Sequence, residues 1–250
     1  MTNSSINSLF LSPKDRLAVA LDVPDATIAF GMVDRLEGTC RWLKIGMELY
    51  YAAGNSLVEA LRGRGFSIFL DLKLHDIPNT VAGAVRSATV AGAELLTVHA
   101  SGGGVMLQAA AEAAQAPDSP RLIAVTVLTS MDAAELASVG VSASPVEQAL
   151  RLARLAKESG IDGMVCSAEE VSSLRQEIGP EAFLVIPGIR PAGASKDDQQ
   201  RIATPGDAIS RGASMLVVGR PITLASNPAD AARAVLAEIA AADETSNPKR

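Results

Sequence analysis

Eight short apolar runs, each followed by a stretch of helical composition, constrain the fold of this chain most strongly. The runs span residues 17–21, 42–45, 66–70, 94–99, 122–128, 163–166, 183–187 and 214–218. Nearly continuous apolar runs of this length are typical of strands covered on both faces, as in parallel sheets. Eight strand–helix units joined by right-handed crossovers predict an α/β fold of the closed (β/α)8 TIM-barrel type.

The alternative fold is an open, doubly wound parallel sheet. That fold predicts a Gly-rich turn after the first strand, and Leu21-Asp22-Val23-Pro24 is not such a turn. We therefore predict one catalytic barrel domain over residues 14–242, with an N-terminal arm at 1–13 and a C-terminal tail at 243–250. The predicted helices span about 24–36, 48–64, 78–92, 106–115, 132–138, 145–159, 168–177, 205–212 and 228–242.

The amino-acid composition argues against some classes of binding partner. The net charge of −6 gives no overall basic field, and 3% aromatic residues argue against a base-stacking surface, so no nucleic-acid partner is expected. No run approaches the roughly 20 apolar residues of a membrane span, and Met1–Pro13 lacks signal-peptide character. Cys40 and Cys166 are interpreted as reduced thiols in or near the core. A soluble cytoplasmic protein is expected, with no membrane partner.

The segment at the C-terminal end of the third strand carries three charges within six residues. On a strand, alternation would place Asp71 and Lys73 on one face and Leu72 and Leu74 on the other. Asp76 is an odd number of residues from Lys73, so it is predicted on the following loop and aimed elsewhere. Charges beside a buried strand are costly unless they compensate one another. The alternative interpretation of Asp-x-Lys is a solvated salt bridge at a strand end.

In a barrel, the carboxyl ends of the strands surround one pocket. The polar residues predicted at these ends are Asp22, Lys44, Asp71, Lys73, His99, Thr129, Ser130, Arg190 and Arg220. Alone, His99 could be a core histidine, and Thr129 and Ser130 could cap a helix. Together, the first four alternate in sign, and each pair at about 4 Å contributes roughly 4 kcal/mol at an effective dielectric near 20. This network favours Lys73 as an ammonium, which suits a proton donor and not a Schiff-base lysine.

The segment after the last strand, Val218-Gly-Arg-Pro-Ile222, predicts an anion site. Gly219 permits close backbone approach, Arg220 supplies a planar fork for phosphate, and barrels often bind phosphate after strands 7 and 8. The alternative for Arg220 is a surface arginine at a turn. Pro187-Gly-Ile-Arg-Pro191 and the polar stretch to Gln199 supply further donors, and Gly193–Ser195 make that stretch a candidate lid.

These motifs resemble the signature of the orotidine 5′-phosphate decarboxylase family. The ten-residue segment Asp71-Leu-Lys-Leu-His-Asp-Ile-Pro-Asn-Thr80 carries the resemblance most specifically. It is flanked, in the family's order, by Ala20-Leu-Asp22, Leu43-Lys-Ile-Gly46, Thr126-Val-Leu-Thr-Ser130, Pro187–Pro191 with Asp198-Gln199, and Val218–Ile222. The resemblance implies decarboxylation of orotidine 5′-monophosphate to UMP, the last step of UMP synthesis, through a C6 carbanion and without a metal or organic cofactor.

The resemblance also implies a role for each matching residue. Lys73 would donate the proton to C6, with Asp71 beside the departing carboxylate and Lys44 bridging Asp71 and the ribose. Asp76 and Thr80 would enter the site across a homodimer interface. The remaining ligands of the substrate would be Asp22 at a ribose hydroxyl, Thr129 or Ser130 at the pyrimidine, and Arg190, Gln199 (or Gln200), Gly219 and Arg220 at the phosphate.

Two other functions remain open at the level of sequence. Related barrels of the 3-keto-gulonate-phosphate decarboxylase and hexulose-phosphate synthase type also carry Asp-x-Lys-x-x-Asp, but they place Mg²⁺ with their carboxylates. Lys44 and Lys73 flank the acids here, which disfavours a bound cation. A barrel that binds a phosphorylated sugar or nucleotide without catalysis would bind the ligand and show no turnover.

Overall fold

In a computed structural model, which describes residues 12–191 and 203–246, eight parallel strands close into a barrel in the order of the chain. The predicted (β/α)8 architecture is therefore confirmed. The strands are β1 Leu17–Leu21, β2 Trp42–Gly46, β3 Ser67–Leu74, β4 Leu95–His99, β5 Arg121–Val125, β6 Gly163–Val165, β7 Phe183–Ile186 and β8 Met215–Val218.

Helices follow the strands around the outside of the barrel. They are α1 Ala26–Arg35, α2 Met47–Gly63, α3 Pro78–Ala91, α4 Gly104–Ala113, α5 Ala133–Ser138, α6 Pro145–Glu158, α7 Val171–Ile178, α8 Pro205–Ser210, α9 Arg220–Thr223 and α10 Pro228–Ser246. Short 3-10 turns lie at Pro13–Arg16 and Ala100–Gly102. None of the helices in the described part of the chain is long and apolar enough to cross a membrane.

Several predicted boundaries differ from the structure by a few residues. The last helix continues to Ser246, so the tail predicted at 243–250 begins too early. Asp243 pairs with Arg16 of the 3-10 turn below the barrel, and this contact keeps the extra turn of helix docked. β5 ends at Val125 and not at Leu128. Residues 1–11 lie outside the described residues, so most of the predicted arm at 1–13 is not described.

The core has two layers, as the covering of both strand faces requires. Inside the barrel, side chains from successive strands pack together, among them Trp42, Phe69, Ile123 and Phe183. Outside it, the leucine, isoleucine and valine side chains of the opposite strand faces pack against the helices. Because the interior is filled with side chains, the space left for a ligand lies at one end of the barrel.

Candidate active site

A cavity of about 390 Å³ opens at the carboxyl ends of the strands. Its apolar floor is formed inside the barrel by Ala20, Phe69, Val125, Val165, Val185 and Val217. Eight of the residues predicted for the site line this cavity: Asp22, Lys44, Asp71, Lys73, Thr129, Arg190, Gly219 and Arg220. Met47 and Glu48, at the start of α2, also line it and were not among the predicted residues.

The four charged residues on β1 to β3 form a continuous network of alternating sign. Lys44 Nζ lies 3.0 Å from Asp22 Oδ1 and 3.5 Å from Asp71 Oδ2. Lys73 Nζ donates to Asp71 Oδ1 at 2.8 Å. The Lys44 side chain is 9% exposed, whereas that of Lys73 is 31% exposed toward the cavity. Lys44 is therefore enclosed between two carboxylates, and Lys73 remains accessible to a ligand.

Asp71 is held as a carboxylate by its neighbours. Burial alone would raise its pKa, but the charges of Lys44 and Lys73 and the hydrogen bonds from Lys73 and Thr97 lower the pKa below its ordinary value. The opposing charges thus offset the cost of desolvation. At neutral pH Asp71 is therefore an anion between two lysine side chains.

The backbone conformation that brings Asp71 and Lys73 into contact differs from the predicted regular strand. Simple alternation along the end of the third strand was expected. Both residues do lie within β3, but Lys73 has a left-handed φ of +48°. The pairing of β3 with β4 shifts register between Leu70 and Leu74. An arch in the strand, and not a regular pleat, therefore places the two side chains together.

Thr97 on β4 contacts this arch and was missed by the sequence reasoning. Its Oγ1 accepts a hydrogen bond from the Lys73 backbone N–H at 2.8 Å and donates to Asp71 Oδ1 at 3.1 Å. Thr97 is fully buried. A single hydroxyl residue among apolar neighbours in the fourth strand was the available sequence signal, although its partner lies 24 residues away along the chain.

The opposite side of the cavity is formed after β7 and β8. Gly219 lies where an added Cβ would come within 3.5 Å of Asp22 Oδ2 and of Ala20 Cβ, so the chain passes close to the network. The single turn α9 begins at Arg220, whose side chain is exposed. Arg190 is 7% exposed, and its backbone N–H donates to the Ala203 carbonyl at 3.0 Å. Gln199, Gln200 and the predicted lid lie outside the described residues.

Several predicted residues do not line the cavity of their own chain. Asp76, Thr80 and Ser130 are exposed, and none of them borders the cavity. His99 is half-buried at the end of β4 and stacks on His75 with ring centroids 5.3 Å apart. Its Nδ1 lies 2.7 Å from Ser101 Oγ. The side-chain contacts of His99 therefore include a second histidine and a serine.

Comparison with known proteins identifies the family. The sequence model described as "Orotidine 5'-phosphate decarboxylase / HUMPS family" matches residues 15–235. The chain belongs to this family. A curated relative named orotidine 5'-phosphate decarboxylase, from Halorhodospira halophila, is 55% identical over 91% of this chain and 97% of its own length. A relative of the same name from Nitrosococcus oceani is 52% identical over 90% of this chain and 98% of its own.

A solved structure of another orotidine 5′-phosphate decarboxylase/HUMPS family member has the same architecture. The crystal structure titled orotidine 5'-phosphate decarboxylase from Lactobacillus acidophilus is 39% identical in sequence and has a TM-score of 0.79. The alignment covers 89% of this chain and 98% of that one. The expected membership of the decarboxylase family is therefore confirmed over almost all of the barrel.

The arrangement of the carboxylates in this chain disfavours the metal-dependent alternative. Within residues 12–191 and 203–246, no group of three or more His, Cys, Asp or Glu side chains is arranged to hold a metal. Each Asp71 oxygen already faces a lysine ammonium, one from Lys44 and one from Lys73. A divalent cation at this carboxylate would meet two like charges within a few ångströms, which is unfavourable.

Proposed function

We propose that this chain converts orotidine 5′-monophosphate to UMP and CO2 without a metal or organic cofactor, the last step of de novo pyrimidine synthesis. The observation that carries the proposal is the contact between the Lys73 ammonium and the Asp71 carboxylate, 2.8 Å apart in a cavity that Arg220 also lines. Membership of the family and the names of its curated relatives support the same reaction.

Lys73 acts as the proton donor in this proposal. Cleavage of the bond between C6 and the carboxylate releases CO2 and leaves the electron pair on C6. The Lys73 ammonium stabilises this developing charge and transfers a proton to C6, which gives UMP and a neutral amine that solvent reprotonates. Because Lys73 is positioned by its contact with Asp71, little reorganisation is needed when the charge forms.

Asp71 and Lys44 support that step. Asp71 lies beside the departing carboxylate and orients Lys73, and its negative charge repels the carboxylate of the bound substrate. Lys44 keeps Asp71 ionised and reaches the ribose, while Asp22 accepts a hydrogen bond from a ribose hydroxyl. The 3.0 Å contact between Lys44 and Asp22 holds both side chains at the cavity wall, where a sugar would lie.

The phosphate of the substrate is bound far from C6 in this proposal. Arg190, Gly219, Arg220 and Gln199 contact it, and Thr129 and Ser130 contact the pyrimidine edge. Thr129 lines the cavity, which supports its assignment over Ser130. Binding energy from a group remote from the reacting carbon can orient the ring and drive closure of a lid, so it contributes to kcat as well as to affinity.

We also propose a cytoplasmic homodimer with shared active sites, in which Asp76 and Thr80 complete the cavity of the partner. Both residues are exposed, and neither lines the cavity of its own chain. Ile77 between them is 67% exposed, so the whole loop is accessible to a second chain. The buried, reduced thiols Cys40 and Cys166 suit a reducing compartment.

The test is the loss of orotidine 5′-monophosphate absorbance, followed with and without EDTA. Turnover should be unaffected by EDTA and abolished by Lys73→Ala, while Lys73→Ala should still bind UMP. Lys14→Ala is the matched control, because Lys14 bonds the Gly38 carbonyl at the opposite end of the barrel and should keep full activity. Loss of activity in EDTA would favour the metal-dependent relatives. Binding without turnover would favour a non-catalytic barrel, and full activity of Lys73→Ala would contradict its role.

A further inference from the structure

We propose that Thr97 is a positioning residue that fixes Asp71 and Lys73 in their catalytic arrangement through one hydroxyl group. This inference rests on the proposed function of Lys73 as the proton donor. It concerns the arch in β3, which neither the family motif nor the alternation of a regular strand accounts for. Thr97 does not line the cavity, so it acts through the two residues that do.

The arch faces Thr97 because of the strand register. Leu70 pairs with Leu96, and the next pairing joins Leu74 to Val98. Between these pairs β3 advances four residues (70 to 74) while β4 advances two (96 to 98). The extra length cannot follow the ladder, so residues 71–73 leave it. Thr97 is the β4 residue between the two pairs, and its side chain is the group opposite the arch.

One hydroxyl links the backbone of the arch to the Asp71 carboxylate. The Lys73 backbone N–H donates to Thr97 Oγ1 at 2.8 Å, and Thr97 Oγ1 donates to Asp71 Oδ1 at 3.1 Å. Lys73 Nζ donates to the same carboxylate oxygen at 2.8 Å. A hydroxyl carries one proton, so its acceptance from Lys73 leaves that proton directed at Asp71. Backbone, hydroxyl, carboxylate and ammonium therefore form a closed ring of contacts.

The ring stabilises a backbone conformation of Lys73 that is unfavourable by itself. Lys73 has a φ of +48°, which is disfavoured for a residue with a Cβ and persists only where surrounding contacts require it. Thr97 is fully buried, so water does not reach the hydroxyl to replace it. Loss of the hydroxyl would leave the Lys73 N–H unsatisfied and allow residues 71–73 to change conformation. Lys73 Nζ would then move relative to the cavity.

Three variants separate the hydroxyl from simple packing. Thr97→Val is nearly isosteric and lacks the hydroxyl, and we expect kcat to fall about 10- to 100-fold with KM changed less than about 3-fold, since small displacements of a reacting group cost this much. Thr97→Ser keeps the hydroxyl and should stay within about 3-fold of the original kcat. Thr39→Val is the control: Thr39 is also buried, and its Oγ1 donates to Leu36 O at 2.7 Å below the barrel.

The pH dependence of kcat tests the hydrogen bond to Asp71 directly, because a loss of packing alone would not change it. Thr97 and Lys73 donate to Asp71, and Lys44 faces it from β2. Removal of the Thr97 donor should raise the pKa of Asp71 and shift the acidic limb of kcat to higher pH in Thr97→Val. The limb should be unchanged in Thr97→Ser and Thr39→Val. Carbon NMR of the labelled Asp71 carboxyl measures the same pKa whichever reaction the site performs.

The outcomes distinguish the proposals. An unchanged kcat and acidic limb in Thr97→Val would overturn the role of Thr97, and so would equal losses in Thr97→Val and Thr97→Ser, which would indicate packing. Failure of the proposed function would show instead as activity in Lys73→Ala. If Thr97→Val does not fold, Thr97→Cys retains a similar volume with a weak donor. Its kcat should also fall, and a kcat equal to that of the unaltered chain would count against the inference.

Discussion

At the scale of single residues, burial destabilises the charged form of Asp71, and the neighbouring donors and positive charges stabilise it. Lys44, Lys73 and Thr97 approach its carboxylate from three different strands. Desolvation opposes the charge, and the three neighbours together lower the pKa of Asp71. Lys44 is enclosed within this network, whereas Lys73 faces the cavity. The same carboxylate thus fixes one buried lysine and presents a second to the substrate.

Arg220 provides the residue-scale prediction. Arg220→Ala should raise KM for orotidine 5′-monophosphate about 10- to 100-fold, because a charge-assisted hydrogen bond to phosphate is worth about 1.5–3 kcal/mol. The affinity for orotidine, which lacks the phosphate, should stay the same. Arg154→Ala on α6 is the control, since Arg154 pairs with Glu177 outside the cavity. Equal losses for nucleotide and nucleoside in steady-state kinetics would show that Arg220 is structural.

At the scale of elements, the start of the shortest of the eight strands leaves no room for a side chain. β6 has three residues and begins at Gly163, which pairs with Ile123 on β5 and Phe183 on β7. A Cβ added to Gly163 would lie 2.6 Å from Ile123 Cδ1 and 2.8 Å from the Leu122 carbonyl oxygen. The backbone of Leu122 has little room to move, so glycine is required here for space.

Gly163→Ala should therefore lower the free energy of unfolding by about 1–3 kcal/mol, the usual cost of overpacking a core. Gly31→Ala is the matched control. Gly31 lies within α1, an added Cβ there meets nothing within 4 Å, and alanine in a helix should stabilise the chain by about 0.5–1 kcal/mol. Urea denaturation measures the change in the free energy of unfolding, which should be negative for Gly163→Ala and positive for Gly31→Ala. A neutral or stabilising Gly163→Ala would mean that β5 and β6 can separate without cost.

At the scale of the whole molecule, the site described in one chain is incomplete under the proposed function. Asp76 and Thr80 belong to the same signature as Asp71 and Lys73, yet they are exposed outside the cavity. α3 begins at Pro78, directly after the loop that carries Asp76. A two-fold dimer would place this surface of one chain against the cavity of the other.

Mixing of inactive variants tests the shared site. When Lys73→Ala and Asp76→Ala chains are mixed in equal amounts, half of the dimers should be hybrids, and each hybrid should contain one intact site of two. About a quarter of the original activity should therefore return. Lys73→Ala mixed with Asp71→Ala is the control, because both residues serve the same cavity and no intact site can form. The absence of recovery in the first mixture would argue against sharing.

The sequence alone determined the barrel and most residues at its mouth, because both follow from local patterns. Apolar runs mark strands that are covered on both faces, and charged residues at the ends of such runs meet at one end of a closed parallel sheet. Asp22, Lys44, Asp71 and Arg220 were placed on this basis, and the ten-residue motif carried the resemblance to the family. The family roles of these residues remain predictions.

Only the tertiary structure decided how Asp71 and Lys73 come together. The arch depends on the register between β3 and β4, and that register is set by packing across the sheet and not by the spacing of residues along either strand. The contribution of Thr97 and the left-handed backbone of Lys73 follow from it. The extra turn of α10 has a similar origin, since Asp243 meets Arg16 from the other end of the chain. Contacts between distant segments leave no periodic signal in the sequence, so they are seen only in the tertiary structure.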